Sequence, residues 1–562
     1  MRLEWLMGET RAACPVCGSG EPKRNVLRTE HLLDGRTPVT LLRCLRCGAA
    51  FLEDLTLPDY EHELAEVLDY YVEQGAGIDL IVAPLRRVPA RAVTRCLEIG
   101  CSFGYALDFS RHSFGWEVLG VDPSPLARYG EAALGIPILH EYFGETTDAG
   151  PEPFDLVLCS EILEHVSEPY ALLAAIVDRL SPEGLLVLST PNVEIVRTET
   201  DSGMLARALS AGLHLILYDR PSLARVLSQA GFTDVLIEET PETLRAFASR
   251  CPGVTARLLP PDPAAEGVLL RDYLNVRKRQ MPADSTLASG LGYRHLKACV
   301  NAGLYDDAVA SRTHLAGVFR ERYNLDLETP STIGKATRHP FNLTGALYFS
   351  GMIELNGLGR PDRAAAYFEA AIEAYSLLLQ SPCPFALYDG ETEALMRQSW
   401  KHLPMALAAV DPDSAVRTIR SLASMDRDRV PLSILIESED QTFVRLVNGG
   451  AYEAASRLAP RIESRIDQTP FAADSENPGA LDPLYCLAML ALQLDRPAVA
   501  ASLFARAASH AAGAASDEWK RIQRSALEHE ALALQRLGDG GPLTPAEERP
   551  APPAAASDSA AS

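Results

Sequence analysis

Four cysteines stand in two tight pairs near the start of the chain, Cys14-Pro15-Val16-Cys17-Gly18 and Cys44-Leu45-Arg46-Cys47-Gly48. Each pair offers two thiolates to one ion, and four thiolates complete a tetrahedral zinc site. Cysteine fills all four positions, so the expected zinc is closed and structural rather than catalytic. A segment this small builds little core of its own, and metal binding is expected to fold it.

A second group surrounds a glycine-bearing turn, Cys96-Leu97-Glu98-Ile99-Gly100-Cys101-Ser102-Phe103-Gly104. A cofactor resting on such a turn needs missing side chains, which Gly100 and Gly104 supply. The next apolar run ends in Val118-Leu119-Gly120-Val121-Asp122, and an acid there can accept both hydroxyls of a ribose. A third group is Glu161, Glu164 and His165, at i, i+3 and i+4. If that segment is helical, the three share one face. His165 is then a general base, or Glu161, Glu164 and His165, with His214 as a further candidate, hold a divalent cation that orients a diol. Structural duty is the plainer reading of the run, and His214 by itself reads as a packed or hydrogen-bonded histidine.

The elements that position these groups alternate in type. Cys96–Ile99, Trp116–Val121, Ile136–Leu139, Leu156–Cys159, Gly184–Ser189 and Val235–Ile237 read as strands. Between them Phe103–Ser113, Pro125–Leu134, Tyr170–Leu180 and Pro221–Ala230 read as helices. Alternation of this kind predicts a mostly parallel sheet covered by helices on both faces, an α/β Rossmann-like domain. Ahead of it Leu64, Val67, Leu68 and Tyr71 lie on one face of a helix.

Four motifs in order resemble class I S-adenosylmethionine-dependent methyltransferases. They are the Glu98–Gly104 turn, Asp122, the run Phe154–Ser160 with Glu161–Val166 behind it, and Gly184–Asn192. The likeness is nearest to the branch of ubiquinone-biosynthesis O-methyltransferases and sugar or polysaccharide methyltransferases, and it covers about residues 93–245. It implies that Glu98 lies near the methionine end of S-adenosylmethionine and that Gly100 and Gly104 let the backbone approach it. It also implies that Asp122 holds the ribose and that Pro123 or Ser124 borders the adenine. Ser102 stands where the family often has glycine; Ser160, at the tip of the fourth strand, completes the expected cofactor set. His165 and Glu164 are the expected catalytic residues. Relatives that methylate quinone precursors or RNA 3′ ends use a similar Glu-x-x-Glu-His run to bind a divalent cation. Paired cysteine knuckles precede methyltransferase domains in families acting on sugar nucleotides or glycans. Gly100-Cys101-Ser102-Phe103-Gly104 also satisfies the nucleophile elbow of α/β-hydrolases, but that motif requires neither Glu98 nor Asp122.

Beyond residue 291 strand signals nearly vanish. Gly303…Ala308, Gly359…Ala364, Gly450…Ala455, Asp495…Ala500 and, more weakly, Val410…Ala415 each pair a turn residue with alanine five positions on. Each marks a turn between antiparallel helices, and the set resembles a degenerate tetratricopeptide-like array. An ordinary helical bundle remains the alternative, because the spacing is irregular. The expected domains are a zinc-knuckle module (1–57), a helical lead-in (58–92), the methyltransferase domain (93–245), a connector (246–290), a helical repeat-like domain (291–537) and a disordered tail (538–562).

At 562 residues the chain has room for roughly three or four units. A net charge of −23 disfavours nucleic acid and anionic membranes as partners. An odd count of 11 cysteines, mostly unpaired in sequence, points to a reducing compartment. No apolar run spans a bilayer, and no leader is evident at Met1; a cytoplasmic location follows as the expectation. The expected function is methyl transfer from S-adenosylmethionine to a small-molecule, sugar or glycan acceptor, with the helices serving a protein partner or a long acceptor. The alternative is an interaction scaffold carrying a non-catalytic cofactor-binding fold. A chain cut near Arg250 is the expected way to separate the two.

Overall fold

The computed structural model describes residues 3–32, 34–57, 60, 65–144, 146–335, 338–381, 383, 389–427, 429–468, 481–511 and 517–539. Leu64 and the expected tail beyond Asp539 lie outside these residues.

The cysteine knuckles sit on a small sheet. Its strands are β1 (Glu4–Trp5), β2 (Glu9–Arg11), β3 (Pro22–Glu30), β4 (Pro38–Arg43) and β5 (Ala50–Leu52), completed by β11 (Ile216–Leu217) from far along the chain. β11 pairs antiparallel with β5, Ile216 facing Phe51 and Leu217 facing Ala50.

The larger sheet contains β6 (Arg95–Ile99), β7 (Glu117–Val121), β8 (Ile138–Leu139), β9 (Phe154–Ser160), β10 (Leu180–Pro191), β12 (Asp234–Glu239) and β13 (Thr243–Ser249). Their order is β12-β13-β10-β9-β6-β7-β8. β8, β7, β6, β9 and β10 run parallel, while β13 is antiparallel to both neighbours. Leu156–Cys159 and Leu185–Leu188 are buried throughout, as strands covered on both faces must be. Sequence reading did not find β13. Its Leu-Arg-Ala-Phe-Ala run favours helix locally, and pairing between β10 and β12 overrides that preference.

Seven helices precede or interleave with these strands: α1 (Ala65–Gln74), α2 (Ile78–Arg87), α3 (Tyr105–Phe114), α4 (Pro125–Leu134), α5 (Pro169–Arg179), α6 (Ser202–Leu209) and α7 (Arg220–Gln229). Leu173 and Ile176 of α5, Leu223 and Val226 of α7, and Leu41 and Phe51 of the small sheet share one core. Val82 of α2, Phe109 of α3 and Leu126 of α4 form the core on the opposite face with α8 (Pro263–Gln280). Arg277 of α8 reaches the fully buried Asp108 of α3 at 2.8 Å, and the Tyr273 hydroxyl donates to the same carboxylate. Within the expected mixed connector (246–290), for which the sequence offered one helix over Ala264–Arg279, residues 246–280 hold the end of β13 and the helix α8, anchored on α3.

The remaining elements of the described residues are helices joined by turns and loops. α9 (Thr286–Asn301) and α10 (Tyr305–Tyr323) are followed by α11 (Leu343–Met352), α12 (Pro361–Leu378), α13 (Gly390–Leu407), α14 (Pro412–Ser424) and α15 (Leu432–Asn448). Then come α16 (Tyr452–Ser456), α17 (Ala459–Gln468), α18 (Leu481–Gln493), α19 (Pro497–Ala511) and α20 (Asp517–Asp539). All five turn-plus-alanine signals fall between consecutive helices, and Ala308, Ala364, Ala415, Ala455 and Ala500 are fully buried. Among the described residues, no helix is long and apolar enough to cross a membrane.

Candidate functional site

The chain leaves β6 for the strands on one side of the sheet and returns to β9 on the other. Ligands of open α/β sheets bind at the carboxyl ends of the strands where the order reverses. Glu98 lies one residue before the end of β6. Gly100 follows at φ 68°, donating its N–H to the Val121 carbonyl at 2.8 Å. A Cβ there would stand 2.0 Å from Cδ1 of Ile162, so this position needs glycine both for its backbone and for its space. Asp122, just past β7, ties the turn to the second strand. One carboxylate oxygen accepts the Ser102 N–H at 2.7 Å, and the other accepts the Ser124 N–H at 2.8 Å. Each oxygen keeps a lone pair for a further donor. Pro123 follows half-buried, and Ser160 is exposed at the tip of β9.

Glu98 is 8% exposed, and its Oε2 has no hydrogen-bond partner among the described residues. Burial, aided by the nearby Asp122 charge, pushes its pKa up to about 8. The Tyr105 hydroxyl and the Ser124 hydroxyl are likewise buried and unpartnered. Tyr71 of α1 comes down on this turn: its hydroxyl meets Ser102 and feels the charges of Glu98 and Asp122, and its ring stacks on Tyr105 at 6.2 Å. Sequence reading placed Tyr71 only on a helix face, because its approach to Ser102 exists only once α1 has packed.

The acceptor-side run departs from the helix that the spacing suggested. Glu161 is left-handed at φ 54°, and only Leu163–His165 forms a single tight helical turn. Glu161 and Glu164 therefore do not share a regular helix face. Glu161 accepts from the Ser189 hydroxyl at 2.7 Å and lies beside Glu164, yet the group that gathers ligand atoms is Glu164, His165 and His214, all within 4.8 Å of one another. The two imidazoles meet edge to face with centroids 4.7 Å apart. His214, expected as a packed or hydrogen-bonded histidine and a further candidate ligand, donates from Nδ1 to the Ala208 carbonyl at 2.8 Å, which leaves Nε2 with a lone pair. His165 Nδ1 lies 2.7 Å from the Tyr60 hydroxyl. Burial pushes the pKa of His165 down to about 3 and that of His214 down to about 4, so both are neutral. Glu164 is fully buried; Glu161 and Thr190 lie beside its carboxyl, but neither oxygen makes a hydrogen bond of ordinary geometry among the described residues. Burial and the Glu161 charge raise its pKa well above the usual carboxylate range. An orphaned carboxylate beside two neutral imidazoles is a donor set suited to a divalent cation.

The four cysteines also meet. Cys14 Sγ lies 3.6 Å from Cys47 Sγ, Cys17 Sγ lies 3.7 Å from Cys44 Sγ, and all four fall within 4.8 Å of one another. Zinc–sulfur bonds of ~2.3 Å at tetrahedral angles put sulfurs about 3.8 Å apart, so the cluster fits that ion. Both knuckles close alike: the Gly18 N–H donates to the Cys14 carbonyl and the Gly48 N–H to the Cys44 carbonyl.

A reversed sheet order, a final antiparallel strand, a glycine turn and a strand-ending acid define a class I, adenosylmethionine-dependent methyltransferase fold. Residues 59–237 match the family described as "Methyltransferase domain". The chain is 38% identical over 134 residues to a ubiquinone biosynthesis O-methyltransferase of Cereibacter sphaeroides, covering 22% of this chain and 51% of that one. It is 37% identical over 128 residues to the mitochondrial ubiquinone biosynthesis O-methyltransferase of Schizosaccharomyces pombe, covering 21% and 46%. The Xanthomonas euvesicatoria enzyme of the same name is 32% identical over 132 residues, covering 22% and 55%. The chain therefore spans about half the length of these curated relatives.

Proposed function

We propose that this chain transfers a methyl group from S-adenosylmethionine to an oxygen on a small-molecule, sugar or glycan acceptor. The observation that carries this reading is the row of buried, unpartnered polar atoms along one sheet edge: Glu98 Oε2, Tyr105 Oη and Ser124 Oγ at the turn, and both oxygens of Glu164 beyond it. Native structures rarely leave such groups unsatisfied, so a polar ligand on each side of the β6–β9 reversal supplies their partners. When bound, S-adenosylmethionine supplies an electrophilic methyl on a sulfonium. Asp122 would hold its ribose and Glu98 its cationic end, with Pro123 and Ser160 bordering the cleft.

The protein's part in such a displacement is to align the acceptor and remove its proton. His165, neutral and beside the buried Glu164, is placed to take that proton. Alternatively, Glu164, His165 and His214 would hold a divalent cation that orients the acceptor oxygens, and the mutual approach of their ligand atoms favours this reading. The relatives' names support oxygen as the nucleophile; the knuckles, expected to hold structural zinc, tilt the acceptor toward sugars. The helical half would serve a protein partner or a long acceptor.

The test is calorimetric titration of the purified protein with S-adenosylmethionine, beside Asp122→Ala. Saturable binding lost in the variant supports the reading and opens screening of hydroxylated acceptors with methyl-labelled cofactor, with and without added divalent cation. A folded, zinc-loaded protein that binds no cofactor would overturn it and leave the helical scaffold as the better account.

A further inference from the structure

A second polar cluster lies where α8, α9 and α10 meet, outside the groups described above. A cavity of about 290 Å³ there is lined by Arg271, Lys278 and Arg279 of α8, His295 of α9 and His314 of α10. Asp272 and Asp307, both exposed, stand on its rim.

Lys278 is only 3% exposed. Its Nζ donates to His295 Nδ1 at 2.7 Å and to the Ser311 hydroxyl at 3.4 Å, and among the described residues no carboxylate forms an ion pair with it. A buried ammonium normally has a carboxylate partner, because desolvating an unpaired charge is costly. Two neutral acceptors leave the third N–H unassigned. Burial pushes the Lys278 pKa down to about 8, so the group still carries its charge at neutral pH. His295 is 5% exposed, and His314 Nε2 is buried without a hydrogen-bond partner among the described residues. Arg271 and Arg279 make no ion pair among the described residues, unlike most arginines of the sheet and helix contacts. Three cations thus converge on one small cavity in a chain whose net charge is −23.

We propose that this cavity binds a phosphate group. A tetrahedral dianion accepts donors from several directions at once, and guanidinium and ammonium groups from different turns of α8 meet that demand. A carboxylate would engage one face and leave the others unmet. The volume, near the lower end of ligand pockets of roughly 300–1,000 Å³, holds a phosphate with a small organic group attached. The rim acids disfavour a second phosphate and can accept from hydroxyls, which suits a phosphomonoester of a small hydroxylated molecule.

The experiment is calorimetry on the full chain with two probes, inorganic phosphate and ribose 5-phosphate, at constant ionic strength. Saturable binding is expected, weakened on the order of tenfold or more in Lys278→Met and measurably in Arg279→Gln. Tighter binding of the ester assigns the cavity to a phosphorylated small molecule, and equal binding assigns it to the free anion; either supports a phosphate site. Absence of saturable heat with both probes overturns the proposal, as does unchanged affinity in a folded Lys278→Met. Should that variant fail to fold, Arg279→Gln, at an exposed position, decides the matter: undiminished affinity overturns the proposal.

Discussion

Glu98 concentrates the chemistry of the cofactor side in one carboxyl. In the free protein, burial raises its pKa to about 8, so it holds a proton at neutral pH. A cationic cofactor end placed against it reverses the preference and expels that proton. Because the folded pKa is raised, the unliganded protein binds more protons than the unfolded chain between about pH 4.5 and 8, and this group's contribution to stability falls as pH rises through that window. Cofactor affinity should move the other way, rising with pH until about 8 and then levelling. Calorimetry at pH 7 in two buffers of different ionisation enthalpy should show up to one proton released, and Glu98→Gln should release none. At Gly100 an added methyl meets both a left-handed backbone and the Ile162 side chain. Gly100→Ala should destabilise by roughly 1–2 kcal/mol or more, read by denaturant unfolding, and should weaken cofactor binding. Glu98, Gly100, Gly104 and Asp122 were legible in the sequence because strand length and turn chemistry fix their spacing locally. Tyr71 was not, since it reaches its site through packing that no local pattern encodes, and His214 entered only as a further candidate ligand for the same reason. The Glu161–His165 run misled for a related reason: helical spacing was present, but Glu161 adopts a left-handed backbone instead.

Between the cysteine knuckles and the Glu164–His165 turn runs a chain of elements. The N–H of Leu52, closing β5, donates to the Leu215 carbonyl at 2.9 Å, and the N–H of Leu215 donates to the Glu164 carbonyl at 2.7 Å. Nearby, the Leu32 N–H donates to the Ala211 carbonyl at 2.8 Å, and Arg43 of β4 pairs with Glu194 at 2.5 Å. The small sheet therefore braces residues 194–217, which carry His214, and contributes Leu41 and Phe51 to the core under α5 and α7. Stripping the metal with a chelator, or Cys44→Ser, should lower the melting temperature and abolish bound zinc in metal analysis. Displacement of His214 by even an ångström would cost on the order of 100-fold in kcat/KM. Cofactor affinity should fall far less, since Glu98 on β6 and Asp122 just past β7 lie outside this brace; equal loss of both would show that the module merely holds the domain together. The knuckles were plain from cysteine spacing. The β5–β11 pairing was not, because a two-residue strand so remote in sequence carries no periodic signal.

At the scale of the whole molecule, the helical half grips α1, the helix that packs on the Glu98–Gly104 turn. Tyr71 of α1 faces Ser102, while the next residues are held from the other side. Glu73 accepts the Tyr323 hydroxyl at 2.7 Å and the Phe341 N–H at 2.8 Å. Gln74 donates to Asp389 at 2.8 Å and Thr392 at 2.9 Å, and Arg294 Nε donates to the Gln74 carbonyl at 2.6 Å. Gly290 of α9 lets the two helices touch, for a Cβ there would lie 2.0 Å from the Val72 carbonyl oxygen. α1 precedes the sheet in sequence but is fixed by helices that follow it, so the placement of Tyr71 on the Ser102 turn depends on the far half of the chain. Gly290→Ala in the full chain should force α1 back, raising the Kd for S-adenosylmethionine with a stability loss of about 1–3 kcal/mol. Tyr71→Phe should weaken binding without that loss, which separates the contact from the grip. Truncation makes the same point only if cut correctly. An end near Arg250 removes α8, with it the Tyr273 and Arg277 partners of Asp108, and uncovers the apolar core that Leu274 seals. An end just after Gln280 keeps that pair and frees α1. A folded domain so trimmed should bind the cofactor more weakly than the full chain; equal affinity would mean that the helices grip α1 without consequence for the site, and that their purpose lies wholly on their outer surface.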